Sequence, residues 1–121
     1  MTTRIGWLTL VVSATATGLA FAQAGGADAA KRERGQAVYQ YWCGSCHSEG
    51  RGNPGTAALA VKYKGQPATP AVLTERTNLT PQAVKFFVRQ GVSVMPPFRK
   101  TEITDADLDA LTAFLTRNNK R

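Results

Sequence analysis

The chain's whole supply of thiol and imidazole, two cysteines and one histidine, is confined to five consecutive residues, Cys43-Gly44-Ser45-Cys46-His47. This is the attachment pattern for a c-type haem, in which the thiols add to two vinyl groups and the adjacent imidazole binds iron. The spacing has a geometric reason. Positions three and four apart share one face of a helix, so Cys43, Cys46 and His47 can all meet the same object. Other chemistries fit less well. A thioredoxin-like dithiol expects a preceding strand and a βαβ surround, whereas Lys31 to Trp42 reads as helix. A structural zinc site needs four ligands and finds three. A disulfide is compatible with an exported chain, but this spacing argues for the haem.

An iron held by His47 has a second axial position to fill, and no other histidine exists. Of the two methionines, Met1 leaves with an export leader, which leaves Met95. It stands in Gly91-Val92-Ser93-Val94-Met95-Pro96-Pro97-Phe98, where two prolines restrict the backbone and can fix the sulfur. A His/Met pair raises the reduction potential, because the soft thioether favours ferrous iron.

The rest of the chain must position these groups. Arg4 followed by an apolar stretch from Ile5 to Phe21, then small residues, reads as a secretory leader over residues 1–24, with cleavage after Ala22 or Ala24. A retained membrane anchor is the alternative, but Gly6, Gly18 and the threonines dilute the stretch. Residues 25–121 then form one domain of about a hundred residues, too small for a large core and helped by a bound cofactor. Large multidomain enzymes are excluded. The formal charge of +7 permits acidic partners, nucleic acid or anionic lipid without choosing among them.

An all-α fold is expected. Gln23 to Ala30 reads as a flexible lead-in, and Lys31 to about Cys46 as the first helix, with Ala37, Val38, Tyr41 and Trp42 available to face core or cofactor. Ser48 to Gly55 is a loop, Thr56 to Lys64 a short helix carrying Leu59 and Tyr63, and Gln66 to Pro70 a break. Thr80-Pro81 starts another helix that Gly91 ends, with Val84, Phe87 and Val88 as its buried stripe. Thr104-Asp105-Ala106-Asp107 starts the last helix, whose apolar face is Leu108, Leu111, Phe114 and Leu115 and whose far end suits Arg117.

These features resemble class I c-type cytochromes, the small single-haem family with attachment near the mature N-terminus and a methionine near the C-terminus. Gly35 and Tyr39, at steps of four before Cys43, resemble the family's glycine and aromatic on the first helix. The resemblance implies that this helix crosses the last one at the small residue, against Leu111, Phe114 and Leu115. Pro54 resembles the proline whose carbonyl accepts a hydrogen bond from the ligand histidine's other nitrogen. The short interval from His47 to Pro54, with Met-Pro-Pro-Phe, is similar to compact bacterial members such as the cytochrome subunit of 4-cresol dehydrogenase.

The expected function is periplasmic electron transfer through one covalent haem c, with His47 and Met95 as iron ligands and Cys43, Cys46 and Pro54 completing the site. The chain is then a carrier or cytochrome subunit rather than an enzyme. Electrons come from a dehydrogenase, a flavoprotein acting on phenolic compounds by the resemblance, and pass to an oxidase or further carrier. Arg51, Lys62, Lys64, Arg89, Arg99 and Lys100 flank the ligands and are expected to form a positive rim that steers an acidic partner. A haem-based redox or gas sensor with displaceable Met95 is the alternative. Nucleic-acid binding rests on charge alone and lacks a recognisable module. No membrane span is expected once the leader is removed.

Overall fold

Residues 19–50, 52–67 and 69–119 are described by a computed structural model. Among the described residues five α-helices follow one another: α1 (Leu19–Trp42), α2 (Gly44–His47), α3 (Pro54–Lys62), α4 (Pro81–Gln90) and α5 (Asp105–Leu115). A single 3-10 turn, Leu73–Glu75, interrupts the long connection between α3 and α4. Among the described residues the nearest thing to a strand is one isolated bridge between Val92 and Met95. The all-α expectation is met.

The helix ends follow local chemistry. Thr80 caps α4 by accepting a hydrogen bond from the Ala83 amide, Pro81 fills the first turn, and Gly91 ends the helix at φ 67°. Thr104 caps α5 by accepting from the Asp107 amide, while Asp105 and Asp107 lie at the positive end of the helix dipole. At the other end the Arg117 guanidinium donates to the Phe114 carbonyl at 2.7 Å and lies over the Phe114 ring.

α1 begins earlier than its sequence implies. The segment 23–30, read above as flexible, continues the helix upstream of Lys31. Once the later turns are anchored, each added residue gains a hydrogen bond without a new nucleation cost, and alanines favour that extension. Residues 25–30 are exposed, so this extension contributes no core.

The main packing contact is between α1 and α5. Gly35 is buried, and a Cβ at that position would overlap the Ala110 carbonyl and approach the Phe114 Cβ to 2.8 Å. Only glycine permits backbones this close. One helical turn on, the ring of Tyr39 packs against Phe114 with centroids 5.7 Å apart. The expected crossing is therefore present, with Ala110 added to the residues foreseen. Ile103 and Leu111 are fully enclosed, surrounded by Val84, Val88, Leu108 and Leu115. Truncating either to alanine costs about 2–5 kcal/mol. Tyr41 departs from expectation: it is 78% exposed, and its neighbours Val38 and Trp42 take the core-facing positions.

The connection before α4 is tied down from the C-terminal end. Arg117 and Asn118 both donate to the Thr74 carbonyl, at 3.1 and 2.8 Å, and Asn119 donates to that of Leu79. None of the helices among the described residues is long and apolar enough to cross a membrane. The proposed leader lies mostly outside the described residues.

Candidate functional site

α1 ends at Trp42, immediately before the Cys43–His47 motif. The Cys43 amide still donates to the Tyr39 carbonyl at 2.9 Å, but its backbone, at φ −115° and ψ −27°, bends the chain before α2 begins. The motif is thus a separate helical turn rather than the end of one continuous helix. It keeps the needed spacing because the amides of Cys46 and His47 both donate to the Cys43 carbonyl, at 3.1 and 2.8 Å. Two outside contacts hold this turn. The Tyr39 hydroxyl donates to the His47 carbonyl at 2.8 Å, and the Thr56 hydroxyl donates to that of Ser48 at 2.9 Å.

The two sulfurs are free thiols in different surroundings: Cys43 is buried and Cys46 exposed. Burial pushes the Cys43 thiol up to about 11, with the neighbouring Cys46 adding to the shift. Burial also lowers the proton affinity of His47, which favours the neutral imidazole that a metal requires.

His47 Nδ1 is buried and has no hydrogen-bond partner among the described residues. The bond to the Pro54 carbonyl implied by the resemblance is not formed. Pro54 is the first residue of α3, so in the helical pattern its carbonyl is directed along the axis toward the Ala58 amide. The residue that lies against the imidazole is Gly55. A Cβ there would fall 2.6 Å from His47 Cε1, 2.8 Å from Nδ1 and 2.8 Å from the Cys46 carbonyl oxygen.

Met95 reaches the site from the opposite side of the sequence. After Gly91 the chain turns back on itself. The Val92 amide donates to the Met95 carbonyl at 3.0 Å and the Met95 amide to that of Val92 at 2.9 Å. Ser93 takes φ 54° to close this turn. A side chain on Gly91 would collide with the Met95 carbonyl and meet Pro97 N at 2.8 Å. The Phe98 amide then donates to the Val88 carbonyl at 2.8 Å, which fixes the Met-Pro-Pro segment to α4.

Two adjoining cavities, of about 160 and 570 Å³, share Cys43, His47, Leu59, Lys62, Val92 and Met95 in their walls. Of the five predicted site residues, Cys43, His47 and Met95 border both cavities, while Cys46 and Pro54 border the larger. Leu59 and Tyr63 face the same space, and Phe87 does so despite lying in the stripe assigned to the core. The fit to a haem is good on three counts: paired thiols at the attachment spacing, a neutral imidazole beside them, and a largely apolar cavity. A c-type haem would be held covalently by Cys43 and Cys46.

The expected positive rim is neutralised in part, three of its six cations sharing two carboxylates. Arg89 pairs with Asp105 at 2.9 Å, Arg99 with Glu102 at 3.4 Å and Lys100 with Asp105 at 2.7 Å. Arg89 also donates to the Phe98 carbonyl, so it braces the methionine segment. Arg51 lies outside the described residues. Of the five that are described, Lys62 alone borders the cavities.

Sequence reasoning missed Gly55 and also Arg76, which is buried in the wall of the smaller cavity. Gly55 carried no usable signal, because a glycine that closes the Ser48–Gly55 loop is ordinary. Arg76 carried none, because a lone arginine in an irregular segment reads as surface.

A family model described as cytochrome C oxidase, cbb3-type, subunit III, matches residues 30–115. No curated protein matches the chain, and no solved structure does.

Proposed function

The chain belongs to this cytochrome c family, with one covalently bound c-type haem and electron transfer as its activity, and from that premise we propose an exported carrier with His47 and Met95 as axial ligands. The observation that carries the ligand assignment is that both side chains border the same two cavities, with Cys43 in the shared wall. When bound, the haem supplies a reversible ferric/ferrous couple. The protein's own contribution is positional. Tyr39 and Thr56 hold the His47 turn, and Gly55 lies against its ring, while Gly91 and the Val92–Met95 turn present the thioether. With both axial places taken, no metal position is open to a substrate, which fits a carrier rather than an enzyme.

Residues 1–24 act as the export leader in this reading, and the working compartment is the periplasm. The electron donor is a dehydrogenase of that compartment, a flavoprotein acting on phenolic compounds in the reading that the short His47–Pro54 interval supports. An oxidase or second carrier accepts. Docking is small and transient, as electron-transfer contacts are. Because three of the flanking cations are paired within the chain, salt should slow partner reduction only modestly.

The test is optical and redox titration of the holoprotein. A low-spin spectrum with a thioether band, a single one-electron wave and no reaction with carbon monoxide are expected. Rapid carbon monoxide binding would overturn the closed axial pair and favour a sensor with a displaceable Met95.

A further inference from the structure

Arg89 of α4 joins the methionine segment to α5. One terminal nitrogen, Nη1, donates to the Phe98 carbonyl at 3.0 Å, and the other, Nη2, donates to Asp105 Oδ1 at 2.9 Å. Its side chain is 19% exposed, whereas that of Lys85, which makes another ion pair between α4 and α5, is 49% exposed. Ion pairs between solvated side chains contribute little, but a half-enclosed guanidinium fixed between a carbonyl and a carboxylate has a defined geometry to enforce. The second oxygen of that carboxylate, Asp105 Oδ2, accepts from Lys100 Nζ at 2.7 Å. The Lys100 ammonium and the Arg89 guanidinium hold the Asp105 carboxyl below its ordinary range, so the anchor is charged at neutral pH.

What Arg89 grips is the far end of the segment that carries Met95. Phe98 is held through both of its backbone groups by consecutive residues of α4. Its amide donates to the Val88 carbonyl at 2.8 Å, and its carbonyl accepts from Arg89. At the near end Gly91 stops α4, and the Val92–Met95 turn closes on itself through backbone hydrogen bonds. Between the turn and Phe98 stand Pro96 and Pro97, which have no amide hydrogen to donate. Their fixed φ makes the link stiff, so a displacement of Phe98 passes to Met95 rather than being absorbed on the way.

We propose that Arg89, aimed by Asp105, is a positioning residue for the Met95 thioether: it closes the segment and so resists replacement of the sulfur by an outside ligand. The proposal rests on the reading of Met95 as an axial ligand.

Imidazole titration of the ferric holoprotein, followed through the thioether band, tests it. Loss of the charge-assisted hydrogen bond in Arg89→Gln should let imidazole displace the sulfur at about tenfold lower concentration than in wild type. Arg89→Lys keeps the charge but lacks the planar fork that reaches both partners, and should recover only part of the difference. Asp105→Asn should shift the titration in the same direction by less, and should add little on top of Arg89→Gln, because both act through one contact. Lys85→Gln serves as the control. It removes an ion pair between the same two helices, with Asp109 at 2.6 Å, away from the methionine segment, and should titrate as wild type. Superimposable titrations of Arg89→Gln and Lys85→Gln would overturn the proposal. If Arg89→Gln yields no holoprotein, Asp105→Asn against Lys85→Gln decides by the same comparison. A wild type with covalent haem but no thioether band fails at the ligand reading instead, and is recognised before any imidazole is added.

Discussion

The Tyr39 hydroxyl donates a 2.8 Å hydrogen bond to the carbonyl of His47, eight residues along the chain. The same ring packs on Phe114, so one side chain joins the α1–α5 crossing to the turn that carries the imidazole. Burial keeps this phenol in its neutral, donating form by raising its proton affinity. Tyr39→Phe preserves the packing and removes only the donor. It should lower holoprotein stability by about 1 kcal/mol, measured by denaturant unfolding, with haem attachment intact. An unchanged unfolding midpoint would mean that the bond does not hold the turn.

The two thiols should differ in reactivity before haem is attached. A thiolate is the nucleophile, and Cys43 is both buried and raised to about 11, whereas Cys46 is exposed. Alkylation of the haem-free folded chain at neutral pH should therefore label Cys46 first. Label at Cys43 should follow only as pH climbs toward that value or as the chain unfolds. Peptide mass mapping over time checks the order, and equal labelling from the start would refute the buried placement of Cys43.

Met95→Ala should leave both thioether attachments, because Cys43 and Cys46 belong to a different segment from the methionine turn. The thioether band should vanish, the potential should fall as water or another donor replaces the soft ligand, and carbon monoxide should now bind. The turn itself should survive, since its two hydrogen bonds use the backbone of Val92 and Met95. An unaltered spectrum and potential would remove Met95 as the ligand.

Much of this was legible in the sequence because it depended on local rules. The Thr80 and Thr104 caps, the end of α4 at Gly91 and the apolar face of α5 follow from residue type and spacing, and all are present. Gly35 and Tyr39 could be placed because a family pattern fixed their partners. What could not be read depended on contacts across the chain. The bend at Cys43 separates α2 from α1 although nothing in Trp42-Cys43-Gly44 breaks a helix outright. Arg89 looks like a free cation until the fold brings Asp105, sixteen residues along the chain, beside it. The substitution of Gly55 for Pro54 as the neighbour of the imidazole arises from α3 starting two residues sooner than a Ser48–Gly55 loop would allow.

Gly55→Ala isolates that neighbour, because two effects of the same methyl oppose each other. In the first turn of a helix, alanine in place of glycine should help by up to about 1 kcal/mol. The methyl would also stand 2.6 Å from His47 Cε1 and 2.8 Å from the Cys46 carbonyl oxygen, closer than real Cβ atoms come. Neither neighbour is a flexible chain end: one is a ring and the other is backbone. Overpacking of this kind costs about 1–3 kcal/mol, so the clash should win. The variant should unfold at lower denaturant, and its iron–imidazole and thioether bands should weaken as the ring is pushed aside. Gly26→Ala makes the same chemical change where no atom lies within 4 Å, and it should be neutral or slightly stabilising. A Gly55→Ala protein as stable as the Gly26→Ala one, with native bands, would show that α3 does not press on the histidine.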